Sequence, residues 1–420
     1  MKARIFKIIY NPLFSGSMIM ILGSNAINFF NYIYHFIIGR LLAPAQYGEL
    51  AALFSLVSLI SMIPTSFGLV IIKFISASKN KNETDSLINW MEQKIWILAV
   101  FLVFIVLIFS SFFANFLNLK NSFPIIVISF TFVFGLPSFF YRSVLQGLLK
   151  FKENIFSSIA ESLLKLLLGV SLVYLGFSVS GALYGLILAA LAGLIIARFY
   201  VKDHLAKKEK LKINIMPLLI FYVPVFIQTI SYTSMSSADL ILVKHFFHAQ
   251  EAGIYAAISN LGRIILFGTG PITAVMFPMI SQKSSRGENA HKIFIYSFLL
   301  TVLIAALILA LYWFFPDLAI KSLYGSSYLN AAHYLFWFGV FMFLFTMSSL
   351  LISYYLSLGI TKIVIFPLLA SVAQIFGIWF YHNDLNMVIS VSVIVSALLF
   401  ICLFCYLFRL YLKSDSKLVY

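Results

Sequence analysis

Charge is what this 420-residue chain has least of: only 10% of its residues are Asp, Glu, Lys or Arg, against about 25% in soluble domains. No hydrophilic stretch is long enough to form a soluble domain. Cysteine is nearly absent as well. Cys402 and Cys405 both lie in the last apolar run. Without a βαβ pattern or a second ligand pair, their C-x-x-C spacing points to neither a redox nor a metal site, and they read as small apolar fillers. No G-x-x-x-x-G-K-[ST] loop occurs, which argues against ATP hydrolysis by this chain, and no cofactor or metal is expected. A cleavable leader is not expected either. Lys2, Arg4 and Lys7 precede an apolar run far longer than the ~7–15-residue core of a secretory signal, so the start reads as an uncleaved span.

Apolar residues make up 62% of the chain, with 45 Phe and 22 Tyr. They gather in runs near the ~20 residues a helix needs to cross hydrocarbon. Twelve spans are predicted, at 15–42, 47–74, 93–114, 123–149, 155–176, 179–200, 216–243, 252–280, 293–315, 329–358, 363–381 and 387–411. The chain is therefore expected to be an all-α polytopic membrane protein.

The net charge of +15 invites a nucleic-acid partner, but its distribution excludes one. Of the 29 Lys and Arg, 23 fall in loops or span ends on one side of the predicted spans and four (Arg40, Lys120, Lys244, Lys321) on the other. The positive-inside rule then puts both termini in the cytoplasm. Asn82-Glu83-Thr84 matches a glycosylation sequon, yet it falls in a predicted cytoplasmic loop and carries no weight.

The sequence repeats itself. Gly39–Ala52 reads GRLLAPAQYGELAA, and Lys244–Ala257 reads KHFFHAQEAGIYAA. Gly48 falls on Gly253 and Ala51-Ala52 on Ala256-Ala257, as in a helix–turn–helix used twice. A fainter echo sets Gln146-Gly147 to Lys150 against Leu358-Gly359 to Lys362. Six spans per half give repeats of one orientation, related by an axis along the membrane normal. The expected organisation is two pseudo-symmetric six-helix bundles, 1–201 and 216–420, joined by a cytoplasmic linker at 202–215 and enclosing a central cavity.

Polar groups inside the spans carry the functional signal, since a mid-membrane charge costs roughly 2.5–3.5 kcal/mol on insertion scales. In span one, Asn25, Asn28, Tyr32 and His35 share a face. In span seven, Gln228, Tyr232, Ser236 and Asp239 do so. Two stripes at equivalent places in the halves are expected to face a wet cavity. Glu161 and Lys165 form an i, i+4 pair in the favourable order, ~9 and ~15 Å into span five. Arg263 lies ~16 Å into span eight with no acidic residue within a turn. Arg142 lies near the inner end of span four, where it could snorkel to the surface. Arg263, Lys165 and Arg142 would attract an anion, and a guanidinium fork suits phosphate. Asn25, Asn28, Tyr32, Gln228 and Tyr232 could replace water around hydroxyls. Glu161 and Asp239 are the candidates for ion coupling. Arg40 and Lys244, which match within a residue in the repeat, are candidate gate residues.

These stretches resemble the polysaccharide flippases of the multidrug/oligosaccharidyl-lipid/polysaccharide exporter superfamily. The resemblance rests on Gly39-Arg40-Leu41-Leu42 with Pro44 and Tyr47-Gly48, and on Asp239 to Lys244 followed by Ala252-Gly253 and Tyr255. It rests also on Phe277-Pro278, and on Gln146-Gly147 followed by Glu161 and Lys165. It implies two bundles around a cavity that opens alternately to each side. The implied substrate is an undecaprenyl-pyrophosphate-linked oligosaccharide repeat unit, moved from the inner to the outer leaflet of a bacterial cytoplasmic membrane for O-antigen, lipopolysaccharide or capsule assembly. Implied partners are this lipid-linked oligosaccharide, membrane lipids and other polysaccharide-assembly membrane proteins. Lipid II flippases of the superfamily usually have fourteen spans, so a count of twelve argues against that branch. A cation-coupled multidrug exporter on the same fold is the alternative. A glycan polymerase or ligase would need an external catalytic loop, for which the outward loops are too short.

Overall fold

A computed structural model describes residues 12–78, 80–205, 216–285 and 291–415. In lipid every backbone N–H and C=O must find its partner inside the segment, so each apolar run becomes a helix. The described residues form twelve long helices. In the first half these are α1 (Pro12–Leu41), α2 (Pro44–Ala77), α3 (Lys81–Ile108), α4 (Phe123–Gly147), α5 (Phe151–Leu172) and α6 (Ser178–Leu205). In the second they are α7 (Met216–Phe246), α8 (Ala249–Ser285), α9 (His291–Phe314), α10 (Ala332–Ser357), α11 (Ile365–Phe380) and α12 (Leu385–Asp415). Ten stretches of the described residues are long and apolar enough to cross a membrane, and one of them, Phe151–Leu205, contains both α5 and α6.

The breaks follow local chemistry. Pro44 opens α2, where its missing N–H costs nothing. The Asn80 side chain accepts from the Glu83 N–H (2.9 Å) and starts α3, and Asp384 caps α12 through the Met387 N–H (2.7 Å). Between α5 and α6 the chain reverses at Gly176 (φ 94°), a backbone angle open to glycine without strain.

The expected repeat appears in these boundaries. α1 ends at Leu41 and α7 at Phe246; α2 opens at Pro44 and α8 at Ala249; both intervals are 205 residues. The fainter echo needs a correction. α4 and α10 close with the same pair of bonds, Leu149 N–H to Gln146 O with Lys150 N–H to Leu145 O, and Gly359 N–H to Leu356 O with Ile360 N–H to Tyr355 O. This Schellman closure equates Leu149 with Gly359, an interval of 210 and not the 212 suggested by matching Gly and Lys letters. Packing repeats as well. In the first half α4 packs on α2, α3 and α6, and α6 on α5; in the second α10 packs on α8, α9 and α12, and α12 on α11.

The chain divides into two compact units, Met1–Phe226 and Ile227–Tyr420, with the division inside α7. The start of α7 packs with the first unit because Tyr222 stacks on Phe67 (4.0 Å between centroids) and donates to the Ile63 carbonyl (3.3 Å). Residues 206–215 of the expected linker lie outside the described residues.

One stripe organises the first unit. Gly181, Gly185, Ala189, Gly193 and Ala197 recur every fourth residue along α6, and all are buried. Small residues at this spacing let helix backbones close up where lipid gives no hydrophobic drive for association. A Cβ on Gly185 would collide with the backbone of Gly169 in α5. Cys402 and Cys405 are exposed on α12, so neither fills the interior.

Candidate functional site

Among the described residues of the first unit, the closest charge pair is not the one that sequence spacing suggests. Glu161 and Lys165 lie one turn apart on α5, yet Glu161 forms its ion pair with Arg142 of α4. Arg142 Nε also donates to Ser157 Oγ (3.2 Å), and Ser157 Oγ donates to the Gly193 carbonyl (3.1 Å). Arg142 therefore does not snorkel to the surface. Its guanidinium is mostly buried, as is the Glu161 carboxylate. The reason lies on a third helix. A Cβ at position 193 would overlap both the Glu161 carboxylate and the Arg142 guanidinium, so glycine opens the space in which they meet.

Lys165 turns the other way, towards α1. Its ammonium donates to Asn31 Oδ1 and sits over the Tyr34 ring, 4.7 Å from the centroid. Such a cation–π contact supports a desolvated charge. Tyr34 is fully buried and rests on Gly169, where a Cβ would strike its ring. Farther along α1, His35 Nδ1 lies 3.3 Å from the Tyr47 hydroxyl of α2. The predicted stripe is thus divided. His35 is half-buried among aromatic rings, Asn28 and Tyr32 are half-buried, and Asn25 is exposed.

A second polar seam in this unit was not anticipated. Asp85, Asn89 and Glu92 follow one face of α3. Asp85 Oδ1 lies 2.6 Å from His204 Nδ1, and Asn89 Nδ2 donates to the His204 carbonyl (3.2 Å). Glu92 accepts from the Tyr141 hydroxyl and lies 3.6 Å from Arg198. The predicted third span began only at 93, whereas α3 begins at Lys81. The i, i+4, i+7 spacing of these three polar residues was the available signal.

In the second unit Asp239 is 1% exposed and accepts from the Tyr255 hydroxyl (2.8 Å). Its other oxygen, Oδ1, is buried with no hydrogen-bond partner among the described residues. Arg263 donates to the Ser236 carbonyl, one turn before Asp239 on α7. Gln228 and Tyr232 line a narrow cavity of about 20 Å³ with Phe345, Ser348 and Ser349 of α10, which is room for about one water. The two candidate gate residues differ in setting: Arg40 is exposed at the end of α1, while Lys244 is 3% exposed near the end of α7. Among the described residues no three His, Cys, Asp or Glu side chains gather as a metal site would need.

The sequence profile of the family described as "Polysaccharide biosynthesis protein" matches residues 13–284. No curated protein matches the chain. Among solved structures, the fold is similar to the lipid II flippase MurJ in an inward closed conformation (TM-score 0.73, 15% identity, 92% of this chain and 87% of that one). It is similar also to a multidrug resistance MATE family transporter of the MOP superfamily in an inward-facing conformation (0.69, 14%, 93% and 96%). A third likeness is to a MOP superfamily transporter from Pyrococcus furiosus, described by a reversed polarity of its binding pocket (0.68, 15%, 93% and 93%).

Proposed function

The chain belongs to the polysaccharide biosynthesis protein family, and from that premise we propose that it flips undecaprenyl-pyrophosphate-linked oligosaccharide repeat units from the inner to the outer leaflet. It is a multi-pass membrane transporter with the fold of the MOP superfamily, not an enzyme. On this reading it works by alternating access in a bacterial cytoplasmic membrane, with both termini in the cytoplasm. Its product feeds O-antigen, lipopolysaccharide or similar surface glycans, passed on to other polysaccharide-assembly membrane proteins.

The family match carries the reading, and the first unit supports it. A sugar headgroup cannot cross ~30 Å of hydrocarbon without replacement for its water. Arg142 and Lys165 give α4 and α5 two largely buried cations within long apolar helices, and Asn31 and Tyr34 add polar and aromatic surface beside the second. In this reading Arg142, Lys165 and Arg263 are the candidate contacts, each taken singly, for the pyrophosphate, and Asn25, Asn28, Tyr32, Gln228 and Tyr232 those for sugar hydroxyls. Glu161 and Asp239 couple transport to an ion, and Arg40 and Lys244 gate the outer side.

The test is reconstitution. In proteoliposomes, fluorescent lipid-linked oligosaccharide loaded in one leaflet should become accessible in the other faster than in protein-free vesicles. Equal rates would refute the proposal. A second reading, a cation-coupled drug exporter, is favoured by one observation, the buried Asp239 with a partnerless oxygen. It requires altered drug susceptibility with unchanged surface glycan when the protein is deleted.

A further inference from the structure

The first unit holds a cleft of about 220 Å³ that none of the polar seams touches. It lies between α2, α3 and the opening turns of α7, with Phe140 of α4 behind it. Val70, Ile71, Met91, Ile95 and Leu218 form its wall, and all five are buried. The stacked pair Phe67–Tyr222 pins α7 to α2 beside it. Its one charged lining residue is Lys94, which is exposed and, among the described residues, has no carboxylate within 4.0 Å. Trp90 stands one turn before Lys94 on the same face of α3 and also lines the cleft.

The chemistry of this cleft selects its occupant. The apolar lining offers water few of the two to four polar partners it needs. A hydrocarbon chain fills it without that difficulty. Trp and Lys one turn apart are the pair that marks headgroup level in a membrane helix, an amphipathic ring beside a cation. Lys94 also belongs to the side of the chain that carries 23 of the 29 basic residues, the side that faces anionic lipid in a cytoplasmic leaflet. We propose that the cleft is a binding site for an anionic phospholipid, one acyl chain lying against Met91, Ile95 and Leu218 and the phosphate meeting Lys94. The occupant also contacts the first turns of α7. The proposal needs only a membrane-spanning chain and does not depend on the transported substrate.

Trp90 serves as the reporter. The full chain is reconstituted in vesicles containing a small fraction of phospholipid with brominated acyl chains, either phosphatidylglycerol or phosphatidylcholine. The Trp90 signal is the difference between wild type and Trp90→Phe. Brominated phosphatidylglycerol should quench it at least twofold more than brominated phosphatidylcholine at equal mole fraction. Lys94→Gln should abolish that preference, and Leu218→Phe, which fills the cleft, should reduce quenching by both lipids. Equal quenching by the two headgroups in wild type would mean ordinary boundary lipid and would overturn the proposal. So would full relief of quenching by stoichiometric undecaprenyl phosphate, which would assign the cleft to a polyprenyl tail. Either result leaves the flipping assay untouched, so the two readings fail separately.

Discussion

Arg142 and Glu161 meet across the α4–α5 interface because residue 193 on α6 has no side chain. Both charges are largely withdrawn from solvent, so each depends on the other. Removing one partner of a buried pair typically costs ~3–5 kcal/mol, whereas replacing both can be neutral. Arg142→Ala should therefore lower thermal stability and protein level sharply. The double variant Arg142→Met/Glu161→Leu, with apolar residues of similar volume, should recover most of that stability and yet remain inactive in the vesicle flipping assay. Recovery of flipping along with stability would mark Arg142 as structural.

Gly193→Ala tests the same site through its floor. The added methyl overlaps the ends of two flexible charged side chains, which must shift and loosen their ion pair, and overpacking of this kind costs about 1–3 kcal/mol. Gly135→Ala on α4 is the control, because a Cβ there meets nothing within 4 Å. Thermal unfolding in detergent should show a clear loss for the first and none for the second.

The helices and their breaks were legible in sequence because lipid leaves the backbone little choice. An apolar run must become a helix, and Pro44 marks where one starts. The repeat was legible for the same reason, since Leu41 and Phe246 end helices that do the same job. Partner choice was not legible. Spacing on α5 offers Lys165 to Glu161, but the contact is decided by Gly193 on the adjacent helix α6, which no single run displays. Asn31 escaped because the stripe Asn25–Asn28–Tyr32–His35 passes one residue from it. Asp85 and Glu92 were read as loop residues because they precede the apolar run, although α3 already carries them into the bundle.

Lys165 offers a test that separates charge from packing. Lys165→Arg keeps the cation over the Tyr34 ring, while Lys165→Met keeps the length and removes the charge. If the ammonium binds pyrophosphate, Met should reduce flipping at least tenfold with an unchanged unfolding midpoint, and Arg should retain a measurable rate. Asn31→Ala removes the hydrogen bond alone and should have the smaller effect. Equal losses of rate and stability in Lys165→Met would instead assign Lys165 to holding α1 against α5.

Leu149 holds a left-handed backbone (φ 60°) at the place where Gly359 serves in the second half. An L-residue pays roughly 1–2 kcal/mol for that conformation. Glycine avoids it but loses about 0.4–1 kcal/mol through the greater freedom of the unfolded chain. Leu149→Gly should therefore stabilise the protein by about 0.5–1 kcal/mol, read as a higher unfolding midpoint. Gly359→Leu should do the reverse, and a rise in midpoint for that variant would refute the equivalence of the two turns.

Arg263 donates to the Ser236 carbonyl one turn from Asp239, whose Oδ2 is already held by Tyr255. Among the described residues the guanidinium makes this one hydrogen bond, and its planar fork offers further N–H donors. If it serves only to brace α7 against α8, Arg263→Lys should restore both stability and flipping, because one donor suffices. If it binds a phosphate, the planar fork matters and Lys should restore stability alone. Arg263→Ala should then reduce flipping far more than it reduces protein level. Tyr255→Phe supplies the comparison, since it leaves the Asp239 carboxylate without its donor and should act on stability first. Equal losses of rate and protein level in Arg263→Ala, rescued together by lysine, would remove Arg263 from the substrate path.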